Sequence, residues 1–134
     1  MLWIRRTRIV KFPHPSEKSE VFFRTLVPDQ PNIATRPMFG NLASFVNGNM
    51  FAGLFGDSLF VRLSEKDDQI EFLKIKGTAS FEPMEGRPMK GYFVVPKSWM
   101  GQRELVRPWI RKAFESTERM PEKKKLKQNK WSKK

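Results

Sequence analysis

Few side chains in this 134-residue sequence could do chemistry, and their spacing does not suit it. The only histidine, His14, lies between Pro13 and Pro15, whereas nucleophilic catalysis needs a nucleophile and a base oriented by a third group. Asp57, Asp67, Asp68 and Glu71 are the densest acidic group. Acids gather at the positive end of a helix for structural reasons, so metal or acid–base use of them is not expected. Gly48, Gly53 and Gly56 are followed by no lysine with Ser or Thr, and they sit among short apolar runs rather than between a strand and a helix. A phosphate loop needs both features. With no cysteine there is neither a disulfide nor a thiolate metal site. The sequence therefore predicts no catalytic residue, no cofactor and no metal.

Two patterns point to binding. Met38, Met50, Met84, Met89 and Met100 could line an adaptable groove, since the thioether is flexible and polarisable, although methionines more often fill gaps in a core. Lys123, Lys124, Lys125, Lys127, Lys130, Lys133 and Lys134 surround Trp131. Lysines neutralise phosphates while an indole stacks on a base, so nucleic-acid binding through this tail is one expectation, a solubilising tail the other. Arg36, Arg87 and Lys90 would suit anion recognition, but a solvated or locally paired role is the commoner one.

The net charge of +12 is concentrated at the ends. Residues 1–12 contribute +4 and residues 122–134 contribute +6, which leaves an ordinary +2 for residues 13–121. Blocks of like charge stay solvated. The domain organisation that follows is a flexible basic leader over 1–15, a folded domain over 16–117 and a disordered lysine-rich tail over 118–134. The Arg-rich, acid-free start reads as a transit peptide or as a non-structural leader. No apolar run approaches the roughly 18 residues of a membrane span. Together with the absence of cysteine, this leads us to expect a cytoplasmic protein with no membrane association. The apolar share of 39%, with twelve Phe and four Trp, is enough for a core.

These residues need elements to position them. Ser16 is placed to cap a helix over 16–27, with Phe22, Phe23, Leu26 and Val27 on one face. Residues 33–39 form a candidate strand interrupted by Pro37. Asn47-Gly48, the dipeptide of a two-residue type I′ hairpin, joins strands 42–46 and 49–55, and Gly56-Asp57 turns the chain into 58–63. Ser64 to Asp67 reads as a capping-box variant before a short helix carrying Ile70, Phe72 and Leu73. Strands are predicted over 81–84 and 89–95 around the turn residues Gly86 and Pro88. Leu105, Val106, Trp109, Ile110, Ala113 and Phe114 predict a last helix, which Pro108 either kinks or starts. In strand 49–55, simple alternation puts Phe51 and Phe55 on one face and Met50, Ala52 and Leu54 on the other. The first and last helices would cover one sheet face. The other is covered by the short helix and loops, or it pairs with a protein partner, with a homodimer the leading form.

The segments Arg36-Pro37-Met38-Phe39-Gly40, Phe45-Val46-Asn47-Gly48-Asn49-Met50-Phe51-Ala52-Gly53-Leu54-Phe55, Phe81-Glu82-Pro83-Met84 and Gly86-Arg87-Pro88-Met89-Lys90 closely resemble the TfoX/Sxy N-terminal domain. The resemblance covers about residues 16–116. It implies an α+β domain with an antiparallel sheet of about five strands, on which an N-terminal, a short middle and a C-terminal helix pack. It further implies that Arg36, Met38, Phe39, Gly40, Asn47, Gly48, Asn49, Arg87 and Pro88 are motif residues with a mainly structural role, and that the motif contains no catalytic residue. In the competence regulators that give the family its name, a helical second domain follows; in this sequence a lysine tail follows instead, and the resemblance is to the subgroup of stand-alone copies of the domain, whose biochemical role is not established. The expectation is a non-enzymatic regulatory or protein-interaction module.

Overall fold

The computed structural model describes residues 12–122. All eight residues of the expected nucleic-acid surface, Lys123 to Lys134 with Trp131, lie outside the described residues, as does the leader before Phe12. Six antiparallel strands, β1 (Ile33–Met38), β2 (Asn41–Val46), β3 (Asn49–Phe55), β4 (Ser58–Arg62), β5 (Ala79–Ser80) and β6 (Tyr92–Val94), form one sheet in the order β1-β2-β3-β4-β6-β5. Three α-helices accompany it, α1 (Glu17–Leu26), α2 (Lys66–Leu73) and α3 (Arg103–Glu118).

The first four strands are a meander built by local turn chemistry. Asn47 (φ 52°) and Gly48 (φ 82°) make the type I′ link expected of that dipeptide. Between β3 and β4, Gly56 has φ 62° while Asp57 does not go positive, the pattern of a II′ turn. The strands expected over 81–84 and 89–95 are mostly irregular. Pro83 and Pro88 have no N–H to give a ladder, so only Ala79–Ser80 and Tyr92–Val94 are strands. The segment between them is held by Phe81 N–H to Tyr92 O (2.9 Å) and Met89 N–H to Phe81 O (2.8 Å).

A β-bulge corrects the expected alternation in β3. Ser44 pairs with Ala52 but the next residue, Phe45, pairs with Met50, so β3 carries one extra residue there. Phe51 therefore turns to the same side as Ala52, where its ring packs edge-on against Phe114 of α3 at 5.7 Å. Met50 moves to the opposite side, with Phe55.

The helices all serve one sheet face. Ser16 caps α1, its hydroxyl accepting from Ser19 N–H at 3.1 Å, and Phe23 and Leu26 enter the core beside Phe22 and Val27, as the spacing implies. The α2 reading needs two corrections. Its N-cap is Glu65, with no side-chain cap bond, so Ser64 makes no capping box, and only Phe72 is buried while Ile70 and Leu73 stay half exposed. Phe72 packs on Trp109 of α3 (4.9 Å) and on Phe93 (6.2 Å), which places α2 with α1 and α3 rather than on the far face. In α3, Val106, Ile110, Ala113 and Phe114 are buried, and Pro108 sits in the exposed second turn, where the helix continues through it.

Candidate functional site

Among the described residues no helix covers the second sheet face, and two irregular segments cross it. Residues 81–91 fold back over the sheet: Phe81 stacks on Phe60 of β4 at 4.4 Å and meets Phe55 edge-on at 5.4 Å. At the other side, residues 12–15 form a strap. Asn41, buried at the start of β2, donates from Nδ2 to Pro13 O at 2.9 Å and accepts at Oδ1 from Gly56 N–H at 2.8 Å. His14 Nδ1 donates to Gly40 O at 3.2 Å. A carbonyl can only accept, so the ring proton is on Nδ1. A β-carbon at Gly40 would collide with the His14 ring, so this position needs glycine both for its φ of 80° and for room. Phe12 at the head of the strap packs on Phe39 (5.4 Å) and Phe55 (5.9 Å).

Strap, sheet and loop enclose an apolar cavity of about 250 Å³. Met38 and Phe39 border it from the β1–β2 hairpin, Met50 and Phe55 from β3, and Pro83, Met84 and Met89 from the loop. Among the described residues no charged side chain lines it. Four of the five methionines singled out in the sequence thus converge, while Met100 packs against the helix-side core. At the rim Phe39 is 71% and Met84 48% exposed, both large apolar side chains facing water.

The polar groups of the domain are engaged elsewhere. Tyr92 reaches over β4 to donate to Met50 O (3.1 Å) and accepts from Arg62 Nη1 (3.3 Å), whose guanidinium lies 5.4 Å from the Tyr92 ring centre. The acidic group of the sequence is dispersed. Asp68 pairs with Lys112 (3.4 Å), Glu71 with Lys74 (3.2 Å), and Asp57 holds the start of α1, accepting from Ser16 N–H (2.9 Å) and Ser19 Oγ (2.8 Å). Those hydrogen bonds, the Ser16 backbone bond foremost, hold the Asp57 carboxyl below its ordinary pKa. No three His, Cys, Asp or Glu side chains among the described residues come together as a metal site.

The sheet and loop segments that border the cavity lie within a family match: the TfoX N-terminal domain is matched over residues 25–117. The chain belongs to the TfoX N-terminal domain family. No curated protein matches it. The match begins at Thr25, so the strap and the first turns of α1 precede it.

In this TfoX N-terminal domain the motif residues divide by position. Met38 and Phe39 line the cavity from the β1–β2 hairpin, and Gly40 (φ 80°) completes its turn. Arg36 stacks over Phe45, 4.2 Å from the ring centre, so it is locally engaged rather than free. Asn47 and Gly48 make the turn, and Asn49 donates to Pro121 O at 3.0 Å, tying down the end of α3. Arg87 bridges back to Met84 and, with Pro88, shapes the exposed turn of the loop. Lys90 is exposed. Sequence reasoning missed Phe12 and Asn41. A proline-flanked strap following an aromatic residue was the one available signal for the first, whereas nothing local marks the second. No helix among the described residues is long and apolar enough to cross a membrane.

Proposed function

We propose that this TfoX N-terminal domain is a non-enzymatic regulatory module, working in the cytoplasm through protein contacts made by its second sheet face. The observation that carries this reading is the convergence of two motif segments, around Met38-Phe39-Gly40 and Pro83-Met84, on one uncharged apolar surface. Such a rim gains free energy by leaving water, an exposed aromatic is the usual anchor of a contact, and thioethers adapt to a partner's shape. The partner we propose to test first is a second copy of the chain. Sedimentation equilibrium over a wide concentration range should give dimer mass at the upper end, and Phe39→Glu should restore monomer mass. Monomer mass throughout for the unmodified chain rules out self-association.

A second reading rests on charge. Arg103, Arg107 and Arg111 are exposed at four-residue spacing on one side of α3, the helix that leads to the lysine-rich end of the sequence. Such a basic stripe, together with the lysine-rich segment of the sequence, would bind nucleic acid without reading its sequence. Fluorescence anisotropy with mixed-sequence DNA, comparing the full chain with one ending at Pro121, tests it: equal binding by both versions removes the tail from consideration.

A further inference from the structure

Two hairpins of this sheet share a backbone and differ in residue. The β2–β3 turn places Asn47 at φ 52° ahead of Gly48 at φ 82°; the β1–β2 turn places Phe39 at φ 54° ahead of Gly40 at φ 80°. A left-handed φ crowds the β-carbon of any L-residue. Asparagine tolerates it because its short polar side chain bonds locally, and a bulky aromatic has no such compensation. The turn conformation by itself would favour asparagine at position 39, against which stands the ring's pair with Phe12. The ring is also 71% exposed, so burial offsets little of the strain. Strain of this sort persists where something other than folding requires it.

What the ring does is stand at the mouth of the cavity. The walls there are almost entirely carbon and thioether sulfur. Asn41 is the one polar side chain among the described lining residues, and both ends of its amide are already engaged, with Gly56 N–H and Pro13 O. The described lining therefore offers an incoming molecule no side-chain partner for a charge. Its volume of about 250 Å³ lies between an apolar void of about 150 Å³ that takes benzene and the lower limit of about 300 Å³ for sites of drug-sized ligands.

We propose that this cavity is a binding site for one small, neutral, apolar molecule of one or two aromatic rings or an equivalent short alkyl group, with Phe39 as its closing aromatic face. A carboxylate or ammonium on such a molecule would be stranded among carbon atoms, so neutral ligands are selected over charged ones of the same size. The proposal does not depend on self-association. A chain that stays monomeric in the centrifuge and binds the probe keeps this inference and loses the other.

The test is a heteronuclear NMR titration of the full chain with indole, and with hexanoate as a charged counterpart. Indole should give saturable shifts confined to amides of residues 38–43, 50–55 and 81–89, and should bind at least roughly tenfold more tightly than hexanoate. Ala43→Leu extends a side chain into the cavity and Phe39→Asn removes the closing face; each should weaken indole by roughly tenfold or more. Phe39→Asn also gives the turn the residue its backbone favours, so its thermal midpoint should be unchanged or raised. The proposal is overturned by the absence of saturable shifts, by indole affinity unchanged in Phe39→Asn, or by a lowered midpoint in that variant. Should Ala43→Leu fail to fold, Phe39→Asn decides the matter alone.

Discussion

One amide, that of Asn41, joins three parts of the chain that are distant in sequence. Its oxygen satisfies the buried N–H of Gly56, 15 residues away, and its nitrogen holds Pro13 O, 28 residues away. Replacing it with alanine would leave a buried donor unpaired and release the strap. A buried unsatisfied group costs about 1–3 kcal/mol, so Asn41→Ala should lose about 2 kcal/mol in urea denaturation, and the ring shifts of Phe12 should move toward those of an exposed phenylalanine. Position 39 should respond differently, with little net loss of stability. A left-handed residue costs about 1–2 kcal/mol, against about 0.5–1.5 kcal/mol for the aromatic pair with Phe12, so Phe39→Asn loses and gains comparable amounts. The contrast explains what could be read at this scale. Asn47-Gly48 announces its turn because the chemistry is contained in two adjacent residues. Nothing next to Asn41 reveals its partners, and Phe39 runs against the local rule that would have marked its turn.

Among the elements, α1 owes its position to the β3–β4 turn as well as to its own cap. Asp57 accepts from both Ser16 and Ser19, and its carboxyl is held below the ordinary value of 3.8. A carboxyl whose pKa is depressed by folding stabilises the native state above its unfolded pKa and loses that contribution as pH falls through the folded one. Urea midpoints should therefore decline as pH is lowered through and below 3.8, and Asp57→Asn should show a shallower decline, with lower stability than the unmodified chain at neutral pH. The helix itself was legible because its cap and its apolar face lie within its own span. The same reasoning failed for α2, where Ser64 precedes the true N-cap by one residue and a weak apolar pattern overstates its burial. It also failed for β3. The bulge beside Ser44 and Phe45 arises from pairing between two strands, so alternation along one strand could not disclose that Phe51 faces α3. Two prolines likewise shortened β5 and β6, an effect the sequence displays but which the spacing of apolar residues conceals.

For the whole molecule, the division of labour follows from the sheet. Among the described residues the three helices cover one face, and a strap and a proline-rich loop cross the other. The architecture could be foreseen because meander and helices are specified locally. The cavity could be foreseen only as a composition of methionines, since its existence depends on residues 81–91 returning across β3 and β4. At this scale charge also becomes a property of the entire chain. If the basic ends bind duplex DNA, log affinity should fall with log salt at about −0.9 per phosphate neutralised. A chain ending at Pro121 should give a visibly smaller slope in anisotropy titrations at several salt concentrations, and identical slopes would dismiss the tail. The two asparagine clamps add a geometric consequence. Asn41 fixes Pro13 at the start of β2, and Asn49, paired with Val46 at the far end of that strand, fixes Pro121. At about 3.4 Å per residue, five residues separate the two anchor points by about 17 Å. A basic segment of +4 therefore sets out from one end of a rigid strut and one of +6 from the other. If both segments bind one polyanion, engagement of the second is an intramolecular event, with the strand fixing the separation of their two starting points.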